Sequence, residues 1–174
     1  MTGPKIFLTT LIFSVVFITF VFAIPSSAAF QKYEFVERWG SNGSGDGQFD
    51  VPHSMVFDKS GNVYITDTHN NRVQKFSSDG EFITKWGSEG SGDGQFVLPL
   101  GIGVDSYDNV YVVDQGTISV QQFSNNGSFI SKMKINQTAQ DRSTVLEDIE
   151  FNKSDDLLLT DRGQHNIIIY NLVQ

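Results

Sequence analysis

The chain has 174 residues, with 12 Lys and Arg against 20 Asp and Glu, no cysteine, 16 Gly and 15 Phe. A formal charge of -8 argues against a nucleic-acid partner, because a phosphate backbone calls for a basic face. The lack of cysteine excludes disulfides, thiolate metal sites and thiol nucleophiles, and 39% hydrophobic against 18% charged residues excludes a disordered polyelectrolyte.

Lys5 is the only charge before Lys32, and an apolar run extends from Ile6 to Ile24. Pro25 breaks it, and Ser27 and Ala29 give a small-x-small ending. This is the pattern of a secretory signal peptide, residues 1–29, with cleavage after Ala29. The alternative is an uncleaved anchor, since nineteen apolar residues can span a bilayer. Either way, residues 30–174 are expected outside the cytoplasm, secreted or held at the membrane by the N-terminal segment alone, with Lys5 inside. Four Asn-x-Ser/Thr sequons follow, at Asn42, Asn126, Asn136 and Asn152. They are glycan acceptors in an exported protein of a glycosylating organism, or else ordinary turn residues.

The remaining chain repeats with a period of 47. Trp39–Phe49 reads WGSNGSGDGQF and Trp86–Phe96 reads WGSEGSGDGQF. The same shift aligns Pro52 with Pro99, Asp58 with Asp105, Asp67 with Asp114 and Phe76 with Phe123. From Phe49 to Trp86, fifteen of thirty-eight positions are identical. A further shift reaches Asp161 and Tyr170 in a decayed third copy. The repeats span about 49–95, 96–142 and 143–174.

Each repeat reads as four short strands. In the first, His53–Asp58, Asn62–Asp67, Arg72–Phe76 and Glu81–Trp86 are rich in β-branched and aromatic residues. Gly, Asn, Asp and Ser turns separate them. Strands at this spacing with no helical period predict an all-β fold. Four strands per tandem unit predict β-propeller blades. Tyr33–Trp39 aligns with Gly80–Trp86, so 33–39 is expected to be an orphan fourth strand.

The run Phe49-x-x-Pro52, Val56-x-Asp58-x-x-Gly61-Asn62-Val63-Tyr64-Ile65-x-Asp67, Asn70-Asn71-Arg72-Val73-Gln74-x-Phe76 resembles the NHL repeat. The second copy departs at Ile118-Ser119, and the third offers His165-Asn166. The resemblance implies propeller blades, a fold that serves binding platforms, RNA readers and lyases alike. The scattered Lys and Arg depart from the basic surfaces of the RNA readers.

Asp67, Asp114 and Asp161 recur at the end of the second strand, which marks a blade device. They are expected to accept N–H bonds from the following turn, and Arg72 to reach a neighbouring blade's carboxylate. Pro52 and Pro99 are turn fixtures, and Trp39 and Trp86 are expected to cover seams. The loops Gly40–Gln48 and Gly87–Gln95 lack the helix or Lys of a phosphate cradle and carry too few carboxylates for Ca²⁺. They read as flexible crossovers. His53, His69 and His165 occupy three different repeat positions, so no metal site, cofactor or catalytic residue is assigned. The positions that vary between repeats are His69, Asn70, Asn71, Gln115, Thr117, Arg162, Gln164 and His165. They are the expected binding face, sharing a side with the crossovers.

The expected function is a binding or scaffold module for a protein or other extracytoplasmic ligand. The alternatives are a metal-dependent lyase- or lactonase-like propeller and a structural cell-envelope component. The three repeats read as half of a six-bladed ring, which a homodimer would close.

Overall fold

The computed structural model describes residues 33–135 and 143–173. The segment 1–29 expected to be a leader or anchor, the Asn136 sequon and the end of the second repeat at 136–142 lie outside the described residues. Strands β1 (Ser41–Asn42) and β2 (Gln48–Phe49) pair in parallel across the first glycine-rich loop. The first blade follows, with β3 (Pro52–Phe57), β4 (Val63–Asp67), β5 (Arg72–Phe76) and β6 (Phe82–Trp86). The second holds β7 (Pro99–Val104), β8 (Val110–Asp114), β9 (Ser119–Phe123) and β10 (Phe129–Lys134). The third holds β11 (Leu146–Phe151), β12 (Leu157–Asp161) and β13 (Asn166–Tyr170). Each blade is an antiparallel meander in sequence order. The all-β expectation holds, and the four strands predicted for the first blade differ from the observed ones by a residue at most.

A hydrogen-bonded turn joins the first two strands of each blade. Asp58 accepts the N–H groups of Ser60 and Asn62 on one oxygen. Its other oxygen accepts the Asn62 amide and the Tyr64 hydroxyl, at 2.8 and 3.0 Å. Asp105 repeats this with Tyr107, Asn109 and Tyr111, and Asn152 repeats its backbone part with Ser154 and Asp156. Such a side chain folds onto its own backbone and fixes the turn that aligns the two strands.

The core lies in the seams between blades. Tyr64 and Val73 of the first blade pack on Phe96, Ile102, Val110, Val112 and Phe123 of the second. Val113, Val120 and Ile135 pack on Leu146, Ile149, Leu157 and Leu159 in the next seam. Trp86 covers the first seam, 6.1 Å from Tyr64 and 5.8 Å from Phe123 between ring centroids. Trp39 sits on the first blade in the same way, 4.8 Å from Phe76. Glycine sets the spacing of the innermost strands. A Cβ on Gly101 would fall 2.6 Å from the Asp148 Cα, so β7 and β11 approach only because that atom is missing.

Met1–Val36 and Glu37–Gln174 are separate units. Tyr33–Trp39, expected as a fourth strand, is irregular in the structure, and Phe35 and Val36 are exposed. No helix among the described residues is long and apolar enough to cross a membrane.

Burial pushes the Asp58 carboxyl up. The Asn62 and Tyr64 hydrogen bonds and the Lys75 charge more than offset this and hold it below its ordinary value. A depressed carboxyl stabilises the fold above its unfolded pKa, and that contribution is lost as pH falls through the folded value. Asp58→Asn should therefore cost about 1–3 kcal/mol near neutral pH. Denaturant titrations should show the gap closing as pH drops through and below the carboxylate range.

Candidate functional site

The turns between second and third strands of the three blades share one side of the molecule with the crossover loops. The Asn70 amide donates to the Gly43 carbonyl at 2.9 Å, and Arg72 donates to the carbonyls of Ser44, Gly45 and Gln48. This side was expected to carry the binding face, so its residues need to be separated into those that hold the fold and those that face solvent.

Asp67 is fully buried at the centre of the first cluster. Its Oδ1 accepts the Asp50 N–H at 2.7 Å, and its Oδ2 accepts Arg72 Nε at 2.7 Å and Gln74 Nε2 at 3.1 Å. Two expectations are corrected here. The carboxylate ties down the backbone that enters the first strand, not chiefly the turn after the second. Asp114 does the same with Val97 and Leu98, and Asp161 with Val145. Only Asp161 also takes N–H groups of its own turn, from Gly163 and Gln164. Arg72 reaches no other blade, because it stands directly opposite Asp67 across the β4–β5 hairpin and pairs there.

The crossovers are pinned, not flexible. Gln74 accepts from Gly47 N–H at 3.0 Å and donates to the Gln48 carbonyl at 2.7 Å. Gln121 does the same with Gly94 and Gln95, at 2.8 and 2.6 Å. Gly43 and Gly90 sit at φ 147° and 149°, and a Cβ at either would lie 2.4 Å from the folded-in Gln48 or Gln95 amide. The glycines make room for those side chains.

Counting from each repeated Asp sorts the eight variable residues. Three positions on stand Asn70, Thr117 and Gln164. The Asn70 amide and the Thr117 hydroxyl donate to the Asp itself, and Gln164 donates to the Ser143 hydroxyl. One position on stand Thr68, Gln115 and Arg162. Thr68 donates to the Pro99 carbonyl at 2.7 Å, and Gln115 accepts the Leu146 N–H at 2.6 Å, each bridging to the next blade. Arg162 instead pairs with Glu147 at 3.1 Å and is largely exposed. Four positions on, Asn71, Ile118 and His165 all adopt the left-handed backbone that ends the turn, with φ 52°, 49° and 55°. His69 is exposed, 3.4 Å from Asp50. Sequence variation alone did not separate these classes, but the fixed spacing from the Asp does. Pro52 and Pro99 open β3 and β7. His53 lies on β3, apart from both turn histidines in sequence and element. No group of three His, Asp or Glu suited to a metal occurs among the described residues.

Of the sequons, Asn42 lies exposed on β1. The exposed Asn126 uses its amide oxygen to accept from Ser124 and Ser128. The Asn152 amide nitrogen is engaged with Asp156 at 2.8 Å.

Four-stranded meanders packed face to face through apolar seams define β-propeller blades. The NHL repeat model matches residues 49–76, the core of the first blade. NHL repeat-containing protein 3 of Homo sapiens is 40% identical over 48 residues, covering 26% of this chain and 14% of that protein, and the Mus musculus protein matches equally. Residues 49–76 therefore match an NHL repeat, and the chain spans only a small part of the length of the curated relatives it resembles. Among solved structures, a putative exported protein from Bacteroides fragilis superposes with a TM-score of 0.58 at 15% identity, over 75% of this chain and 37% of that one. Virginiamycin B lyase from Staphylococcus aureus superposes at 0.54 with 14% identity, over 71% and 42%. At such identity the likeness is one of fold alone.

Asp67→Ala would leave Arg72 buried without its carboxylate, at a cost of about 3–5 kcal/mol. Asp46→Ala, which removes an exposed partner of Lys85, should stay within about 0.5 kcal/mol. Parallel urea titrations of the two variants check both values.

Proposed function

We propose that the chain is an exported binding module and that its contact surface is the turn side, at His69, Asn71 and His165, with Arg162 at its margin. The observation that carries the reading is the division just drawn. The repeated Asp and the polar residues one and three positions after it are largely consumed in structural hydrogen bonds, while His69, Asn71 and His165 stand at the turn tips. A rigid scaffold with varied tips is how loops acquire recognition. The acidic charge points away from nucleic acid and towards a protein or another extracytoplasmic ligand.

The enzyme alternative draws on the lyases among the structural neighbours. It gains nothing further from the described residues, because the three histidines lie on separate elements. If the chain enters a glycosylating compartment, Asn42 and Asn126 are the better-placed acceptors, since the Asn152 nitrogen already holds its turn.

A photo-crosslinking residue at His69 or His165 should give discrete protein adducts in cells. The same group at Lys153, on the opposite turn of the third blade, should not. Equal adducts from both sides, or none from the turn side, would overturn the reading. N-terminal sequencing of the exported protein should begin at Phe30; a chain retaining residues 1–29 would make the segment an anchor.

A further inference from the structure

The chain holds two Asn-Gly-Ser tripeptides, Asn42-Gly43-Ser44 and Asn126-Gly127-Ser128. An asparagine followed by glycine can lose its side-chain amide without an enzyme. The glycine nitrogen attacks the asparagine Cγ, the N–H proton passes to solvent, ammonia leaves, and a succinimide ring remains. Water then opens the ring at one carbonyl or the other and gives aspartate or isoaspartate. Glycine permits the attack because it has no Cβ to crowd the nitrogen. The two tripeptides are identical, so a difference in reactivity between them comes from the fold.

Both asparagines are exposed, and their attacking nitrogens are tied alike. The Gly127 N–H donates to the Ser124 carbonyl at 2.9 Å, and the Gly43 N–H donates to the Phe49 carbonyl at 3.1 Å. The carbons under attack differ. Oδ1 of Asn126 accepts three hydrogen bonds, from the Ser124 hydroxyl at 2.5 Å, the Ser128 hydroxyl at 2.9 Å and the Ser128 N–H at 3.2 Å. The last of these identifies the atom as the oxygen, since a backbone N–H only donates. Negative charge builds on that oxygen as the Gly127 nitrogen adds to Cγ, and donors already aimed at it lower the barrier. The Asn126 amide nitrogen, which leaves as ammonia, holds no hydrogen bond among the described residues. The Asn42 side chain holds none at either atom among the described residues.

Packing sets the glycine at 127. It stands at φ 87°, and a Cβ there would fall 2.6 Å from the Trp86 ring. The cover that Trp86 gives the first seam and the reactive dipeptide therefore come together. The same turn is tied to the first blade. The Asn125 carbonyl accepts the Tyr64 hydroxyl at 3.2 Å and the Lys75 ammonium at 3.0 Å. In the first repeat the residue aligned with Asn126 is Asp79. It accepts the Ser77 hydroxyl as Asn126 accepts Ser124, and its turn keeps the same backbone bonds, Ser77 N–H to Glu81 and Gly80 N–H to Ser77. Aspartate therefore fits this turn. Isoaspartate does not, because the chain then runs through the side-chain carbon. An extra methylene enters a turn that is fixed on both sides of Asn126.

We propose that Asn126 converts spontaneously, through a succinimide with Gly127, to aspartate and isoaspartate, and that the isoaspartyl form loosens the seam between the first and second blades. Tyr64 and Lys75 lose their shared carbonyl when the lengthened turn shifts, whereas the aspartyl form keeps it. The reaction also destroys the Asn-x-Ser sequon, so a chain altered at Asn126 no longer accepts a glycan there.

The test ages the full chain in mild detergent at mildly alkaline pH and maps its peptides by mass spectrometry. Conversion of amide to acid should run at least about tenfold faster at Asn126 than at Asn42. In urea, where the donors are dispersed, the two sites should convert at one rate. Ser124→Ala combined with Ser128→Ala should bring Asn126 down to the rate of Asn42, with the circular dichroism of the blades unchanged. The isoaspartyl fraction, marked by an isoaspartyl methyltransferase, should melt below the parent, and Asn126→Asp should melt with it. Equal rates at the two sites in the folded chain would overturn the proposal. So would a difference that persists in urea, or a folded double serine variant that converts as fast as the parent. An isoaspartyl fraction that melts with the parent would overturn the loosening of the seam.

Discussion

A blade in this chain is apolar on both faces, and no blade can bury both by itself. That constraint organises everything else. Tyr64 and Trp86 leave one face of the first blade to pack on Phe123 and Ile102 of the second, and Tyr111 leaves the second to meet Phe151 of the third at 4.7 Å. Stability accrues by neighbouring interfaces, as in any array of repeats. The polar residues then serve the seams. Tyr64 reaches the Asn125 carbonyl, Lys59 reaches Asp108, and Ser106 reaches Asp155, so each blade is stitched to the next at the same height.

Within a blade the comparable constraint is the buried Asp at the end of the second strand. Burying a carboxylate is costly unless its oxygens are satisfied. Asp67 meets that requirement by gathering Asp50, Asn70, Arg72 and Gln74 around it. The result fixes the crossover, the first strand and the turn at one point. The glycine-rich loops follow from this arrangement. They must pass close to Arg72 and Gln74 with carbonyls turned inward, and a Cβ at Gly43 or Gly90 would strike the glutamine folded beneath it.

The strands were legible in the sequence because the 47-residue period fixes them three times over, and independent errors do not repeat in register. The partner choices were not. Asp67 and Arg72 are five residues apart, and spacing alone allows a pairing within the blade or between blades. Only the hairpin register, which sets them opposite each other, decides it. The site was misjudged for a similar reason. Asn70, Thr117 and Gln164 differ in identity, which suggested recognition, yet all three occupy one position relative to the Asp and all three are hydrogen-bonded. Asn70 and Thr117 serve the Asp directly, and Gln164 ties the turn to Ser143 instead. The parallel pair β1–β2 was invisible because two residues per strand carry no periodicity.

The clamp thins along the chain. Arg72 in the first blade gives way to Ser119 in the second and Asn166 in the third, and Gln74 and Gln121 give way to Ile168. Asp67 has three side-chain donors and Asp114 has one, Thr117, while Asp161 takes backbone N–H groups alone, two of them from its own turn. Among the described residues, the buried Asp of the third blade therefore has fewer side-chain partners than that of the first. Local opening follows such differences, since regions with fewer buried contacts unfold at lower cost. Arg162 and His165 stand beside the Asp with backbone donors alone, whereas His69 and Asn71 stand beside the Asp with the most side-chain donors. The side-chain ties of the turn side are thus concentrated on the buried Asp of the first blade.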